Sequence, residues 1–300
     1  MTSPLPTGPA GAHRWRAALF MLAAVGLFAL MDAGLKLLSA HYPPLQVASL
    51  RGAASLPIVL AWTLSTIGAR SLFRVRWPLH LLRAVLGVTM MAPFVYALRT
   101  LPLSTAYAIF FIAPLLITAL SVPILGERVG PRRWTAIVVG FLGVLVVLRP
   151  TGEGVGSLAG LAVLLAALGY AVSAITVRVL ARTDSSQAIV VWLLFSMALG
   201  AGLLAWPHWV PIRGADLWLI AGVGLAGALG QYTVTEAFRQ GEASLIAPLE
   251  YSALLWGLLL DFSLWGALPD GMTWVGAAII VVSGLYLLRR ERVHLEAEHP

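Results

Sequence analysis

The chain has 300 residues, 59% of them hydrophobic and only 11% charged, with no cysteine and a formal net charge of +7. Ordinary soluble domains carry about 25% charged residues, so a water-soluble globular fold is excluded. The absent cysteines exclude disulfides, thiolate metal sites and a cysteine nucleophile. The six histidines (13, 41, 80, 208, 294 and 299) are too scattered for metal-ligand spacing, so no metal or other cofactor is expected.

Along the chain run ten mostly apolar stretches, expected as helices over 15–38, 44–66, 78–98, 102–125, 132–148, 158–181, 187–206, 215–238, 243–264 and 271–288. Stretches of this length cross the roughly 30 Å hydrocarbon layer of a bilayer. Residues 17–31 have the make-up of a signal-peptide core, but nine similar segments follow without an obvious cleavage site, so a first transmembrane helix is expected. Pro43 and Pro44 cannot continue the first span yet suit the start of the second. Prolines interrupt spans two, three, four and nine at Pro57, Pro93, Pro114 and Pro248. Each removes one i to i−4 hydrogen bond, which frees the carbonyls of Phe110 and Ser244 and predicts helix kinks. Gly152, Gly154 and Gly156 break the chain after span five; without a following Lys-Ser/Thr they form no phosphate loop. Leu268-Pro269-Asp270-Gly271 reads as a tight turn before span ten. Almost nothing is left for a soluble unit, and residues 1–300 read as a single membrane domain.

Orientation follows from the basic residues. With the N-terminus inside, Arg14, Arg16, Arg70, Arg74, Arg76, Arg128, Arg132, Arg133, Arg182, Arg239, Arg289, Arg290 and Arg292 fall on inner connectors and tails, against Arg99, Arg149 and Arg213 outside: 13 to 3. Positive charge stays on the cytoplasmic side, so both termini are expected inside. The same bias accounts for the basic balance without a nucleic-acid partner; the surrounding partner is lipid.

The halves echo each other. At one constant offset Ala97 and Arg99 match Ala237 and Arg239, Ser104 matches Ser244, Gly126 matches Gly266 and Trp134 matches Trp274; Gln46 and Gln187 match one position further. Five spans per half force the second copy upside down, giving two inverted five-helix repeats over 15–148 and 158–288. Such repeats place a pseudo-two-fold axis in the membrane plane, and rocking of one half on the other exposes a midplane site alternately to each side.

These residues resemble a known family. Lys36, Pro44, Arg51, the Ala97-Leu98-Arg99-Thr100-Leu101-Pro102-Leu103-Ser104 run, Pro114, Gly126-Glu127-Arg128 and Trp134 with Gly140 and Gly143 look like the first repeat of the EamA-type drug/metabolite transporter superfamily. Ala237, Arg239, Ser244, Gly266 and Trp274 look like the second. The second copy departs from the pattern with Leu268-Pro269-Asp270 where a Glu-Arg pair would stand, which suits a structural role for Glu127-Arg128 at the inner surface. Within the superfamily the chain is most similar to YddG-type amino-acid exporters. The resemblance implies export of small molecules across a bacterial inner membrane as a multi-pass protein.

Ionisable groups inside spans are costly and usually face the bundle interior. Asp32 and Arg51 lie nine to ten positions either side of the turn near His41 and Tyr42, hence at equal depth, and are expected to pair. A fixed structural pair and a gating or proton-linked pair both remain open. Lys36 and Arg178 are expected to snorkel towards water, and Asp261, near the outer end, to be wetted. Glu250 either meets a substrate ammonium or a proton, or pairs with Arg83 or His80. Ser104, Tyr107, Phe111, Pro114 and Thr118 share one side of span four, Tyr170, Ser173 and Thr176 one side of span six, and Tyr232 and Glu236 one side of span eight. Each hydroxyl serves either substrate or helix packing. Together with Glu250 and Tyr251 they describe an aromatic cavity with few fixed charges, suited to a small amphipathic metabolite, with amino acids bearing aromatic or apolar side chains leading and multidrug efflux the alternative. Gly222, Ala226 and Gly230 are expected to be a packing face. No catalytic constellation, ATP motif or channel filter is visible, so the expectation is a facilitated or ion-coupled carrier rather than an enzyme or channel.

Overall fold

The computed structural model describes residues 9–126, 130–148, 157–240 and 247–298. Among them every regular element is helical: α1 (Pro9–Ser39), α2 (Pro44–Thr66), the single turn α3 (Arg70–Phe73), α4 (Trp77–Leu98), α5 (Leu103–Phe110), α6 (Ala113–Leu125), α7 (Pro131–Leu148), α8 (Ser157–Leu180), α9 (Ser186–Ala205), α10 (Leu217–Gln240), α11 (Ala253–Trp265) and α12 (Gly271–Glu298). Among the described residues seven helical stretches are long and apolar enough to cross a membrane, α5 and α6 counting together; the apolar parts of α7 and α12, Trp134–Val147 and Gly271–Tyr286, are shorter. Glu127-Arg128, Ser244 and the Gly152–Gly156 run lie outside the described residues.

Local chemistry sets the ends. Pro44, Pro78 and Pro114 stand in the first turns of α2, α4 and α6, where a missing N–H costs nothing. Gly126 closes α6 at φ 71° and Gly266 closes α11 at φ 62°, the left-handed cap that glycine adopts without strain. These two glycines match each other in the internal repeat, so the echo recurs as one backbone device. The matching Trp134 and Trp274 sit exposed in the first turns of α7 and α12, as tryptophans at a bilayer interface do. Between the ends, α7 shows Val138, Phe141, Leu142 and Leu145 outwards while Ile137 and Val144 are buried. A face of exposed aliphatic side chains is the face a lipid solvent accepts.

The main packings pair α1 with α10, α8 with α4, α2 with α9 and α7 with α12, with α5 against α11. Small residues bring backbones together at these crossings. A Cβ on Gly52 of α2 would stand 2.7 Å from the backbone nitrogen of Ala198, and one on Gly224 of α10 would stand 2.6 Å from the carbonyl carbon of Ala54. The expected Gly222–Ala226–Gly230 face is only partly used. Gly222 faces open space, whereas Gly224, Gly227 and Gly230 meet Ala54, Met31 and Phe28. The rotation of α10 about its own axis turns the packed face away from the one the spacing suggested.

Polar ties fix the two ends of the bundle. At the end carrying residues 39–46, Arg99 donates to the carbonyls of Ser39 at 2.9 Å and Tyr42 at 2.8 Å, and Gln46 makes two bonds to the backbone of Val210. The buried Tyr42 hydroxyl donates to Asp216, which also pairs with Arg213. At the opposite end His80 meets Asp184 at 2.9 Å and the Trp192 indole donates to the Leu72 carbonyl. Burial pushes the Asp184 carboxyl up, but donors on Thr183, Arg76 and His80 outweigh it and bring it below the ordinary value.

Candidate functional site

Two breaks in the helical bundle define the site. Span four stops at Phe110, turns through Phe111 and Ile112, and resumes at Ala113 with Pro114 in its first turn. Proline cannot donate to the Phe110 carbonyl, and the chain answers with an interruption rather than the simple kink expected. Span nine contains a 3-10 stretch, Ala247–Ser252, that includes Pro248 before α11 begins. By contrast α4 runs unbroken past Pro93 and α2 past Pro57.

The breaks touch. Phe111 and Tyr251 pack edge to face with ring centroids 5.0 Å apart. They stand in the same sequence offset as Gly126 and Gly266, so positions that match in the echo between the halves meet each other. Phe110 extends the aromatic wall to Phe94 at 5.8 Å and, at 5.3 Å, to Tyr170, which stays 39% exposed. The Tyr251 hydroxyl, tucked against Gly284, and the Ser252 hydroxyl are buried without a hydrogen-bond partner among the described residues. Unpaired hydroxyls cost of order 1–3 kcal/mol in a protein interior. Glu250, half-buried, joins them. Neither expected partner takes it: Arg83 donates to the Ile189 carbonyl at 3.0 Å and to Ser173 at 3.5 Å, and His80 is held by Asp184.

One turn before Phe111, Tyr107 is buried and its hydroxyl donates to Asp32 at 2.8 Å. This corrects the expected Asp32–Arg51 ion pair. Among the described residues no ion pair joins the two. Instead the Arg51 guanidinium lies among thioethers, 3.2 Å from the Met31 sulfur, 3.6 Å from that of Met197 and 3.7 Å from that of Met91. Equal depth was legible; the rotation of each helix about its axis sent the side chains to different neighbours.

Two further expectations change. Lys36 does not reach for water: its ammonium lies 3.5 Å from Asp261 and 4.3 Å above the Trp265 ring. Asp261 is not wetted but fully buried, accepting from the amides of Leu103 at 2.9 Å and Ser104 at 2.8 Å and from the Ser104 hydroxyl at 2.6 Å. It caps the start of α5 from the second half of the chain. The signal available in the sequence was Pro102, a helix opener with no capping side chain of its own. A shallow depression of about 500 Å³ beside this cluster is lined by Lys36, Ser39, Ala40, Leu98, Arg99 and Trp265.

Of the other expected cavity residues, Ser173 is brought to Arg83, whereas Tyr232 turns its ring onto Trp62 at 5.6 Å and stays 40% exposed. Thr118 and Thr176 bond carbonyls of their own helices, the packing alternative for those hydroxyls. Among the described residues no three acidic or histidine side chains gather to hold a metal. In the sequence Arg83 stands only as a candidate partner for Glu250; among the described residues its buried guanidinium meets a carbonyl and a hydroxyl and no carboxylate.

A model of the EamA-like transporter family matches twice, over residues 15–149 and 157–289. The chain is similar to a riboflavin transporter of Vibrio cholerae, with 32% identity over 286 residues covering 93% of this chain and 95% of the relative. It is 34% identical to a riboflavin transporter of Rhizobium johnstonii, over 71% of this chain and 70% of that one. A pseudopaline exporter of Pseudomonas aeruginosa is 27% identical, over 88% and 93%. A solved crystal structure, 21% identical, covers 91% of this chain and 98% of its own at a TM-score of 0.63, a likeness of fold. The chain belongs to the EamA-like transporter family: it is a multi-pass membrane transporter of small molecules.

Proposed function

We propose that this chain is a secondary carrier of small amphipathic metabolites, working by alternating access across the inner membrane about the contact between Phe111 and Tyr251. The carrying observation is the meeting of two helix breaks, at matching positions of the repeats, beside buried hydroxyls without partners among the described residues. Ten spans in two inverted repeats, 15–148 and 158–288, with both termini inside, fit the packing. Exchanging the halves turns the α1–α10 pairing into the α8–α4 pairing and leaves α2–α9 and α7–α12 unchanged. The 13-to-3 arginine bias supplies the orientation. Single cysteines placed in this cysteine-free chain test it. Labelling in the 70–76 connector is expected only after permeabilisation, and labelling of intact cells by an impermeant reagent would defeat the topology.

The cargo this wall suits has an aromatic or apolar body and a polar end, and amino acids with such side chains meet that description. The second reading is riboflavin, favoured by 32% identity along nearly the whole of a riboflavin transporter; its flat ring system would stack on the same rings. Counterflow in liposomes separates them: exchange of phenylalanine or methionine without riboflavin supports the first, and riboflavin alone the second. In either case Phe111→Ala and Tyr251→Ala are each expected to weaken apparent affinity about 2- to 10-fold, the value of one aromatic pair at about 0.5–1.5 kcal/mol. Unchanged half-saturation in both variants would remove the contact from the transport path.

A further inference from the structure

Among the described residues two opposite charges in the bundle have no counter-ion. Arg83 is 5% exposed, and its guanidinium is met by the Ile189 carbonyl and the Ser173 hydroxyl; among the described residues no carboxylate pairs with it. Glu250 is half-buried in the 3-10 break, and among the described residues no cation pairs with it. A lone charge among apolar helices is expensive, and a pair of lone opposite charges more so. An ionisable group inside a membrane bundle without a protein partner is a candidate point on a substrate or proton path.

The two poles belong to one surface. Glu250 is the chain neighbour of Tyr251, whose ring packs on Phe111 next to Phe110, Phe110 packs on Tyr170 of α8, and Arg83 bonds Ser173 of the same helix. From Tyr170 to Ser173 is a step of i to i+3, about 4.5 Å of axial rise, so the two lie one turn apart on one face. Along this strip the chain offers an acceptor at one end, donors at the other, and an aromatic wall beside them. Arg83 has five N–H groups, and the two bonds to neutral oxygens leave others for an anion. A planar guanidinium matches a carboxylate with two parallel bonds.

We propose that Arg83 and Glu250 are the two poles of a binding site for a zwitterion, the carboxylate of the cargo meeting Arg83 and its ammonium meeting Glu250. This rests on the carrier reading above and narrows it: a molecule bearing both charges neutralises both poles, whereas one bearing a single charge leaves the other stranded. Riboflavin, which carries neither, satisfies neither pole.

The test begins with ligands, on the unaltered protein, by thermal stabilisation of purified carrier. L-phenylalanine is compared with phenethylamine, which lacks the carboxylate, with 3-phenylpropionate, which lacks the ammonium, and with riboflavin. Half-maximal stabilisation is expected at a concentration at least about tenfold lower for phenylalanine than for either single-charge analogue, in keeping with the cost of leaving a buried charged group unpaired. Arg83→Gln is expected to bring phenethylamine level with phenylalanine, and Glu250→Gln to do the same for 3-phenylpropionate. Equal response to phenylalanine and its analogues, or no response to phenylalanine at all, overturns the zwitterion site. If riboflavin then exchanges in liposomes, the carrier stands and only this inference falls. If nothing exchanges, the carrier reading falls with it. Should either variant fail to fold, the ligand series on the unaltered protein decides alone.

Discussion

Replacing Asp261 by alanine is expected to lower stability by about 3–5 kcal/mol, the usual cost of removing one member of a buried charged cluster. The carboxylate is fully buried and takes three hydrogen bonds from Leu103 and Ser104 besides the Lys36 ammonium. Its loss strands two amides at the start of α5, which lie too far from water to be rehydrated, and leaves Lys36 without its anion. Magnitudes rank the variants. Asp261→Asn keeps one carbonyl acceptor for the α5 amides and is expected to cost less than alanine. Lys36→Gln leaves all three donors on the carboxylate and removes a partner that is 13% exposed and 3.5 Å away, so it is expected to cost least. Thermal unfolding in detergent gives the order directly. If Lys36→Gln proved as damaging as Asp261→Ala, the ion pair rather than the helix cap would be the main bond between the halves.

Two glycines on α10, with a single residue between them, give the second large contrast. Gly224→Ala is expected to prevent α10 from seating on α2, because the new Cβ would lie 2.6 Å from the Ala54 carbonyl carbon and 2.7 Å from its oxygen. Backbone atoms cannot turn aside as a side-chain tip can. Overpacking of this kind costs about 1–3 kcal/mol or more, and here it separates the helices that hold Arg51 and the α1 contact. Gly222→Ala adds a methyl to open space and gains helix propensity, about 0.8–1.0 kcal/mol in water, so it is expected to fold as well as the parent or better. Folded yield and melting temperature measured side by side decide it; equal behaviour of the two variants would place α10 in a different rotation.

What the residues announce unaided is local or summed along the chain. Apolar runs against a fixed bilayer thickness yield the helices and their approximate ends, since about twenty residues suffice to decide whether a segment prefers lipid. Pro44, Pro114, Gly126 and Gly266 mark their turns because φ restriction and the missing N–H act within one helical turn. The echo between the halves points to the two repeats that the family match also finds over 15–149 and 157–289, and the polar-aromatic face of span four foretells that Tyr107 and Phe111 point inwards. Who meets whom is a matter of packing. Depth in the membrane can be counted from a turn, which is why Asp32 and Arg51 were placed level, but azimuth is set by the contacts of several helices at once. Those contacts gave Asp32 to Tyr107, Arg51 to three methionine sulfurs, and Asp261 to a helix start in the other half of the chain. They also left Arg83 and Glu250 without each other. Such pairings depend on the rotation of each helix about its own axis, a quantity to which a single residue contributes about a hundred degrees and on which hydropathy is silent.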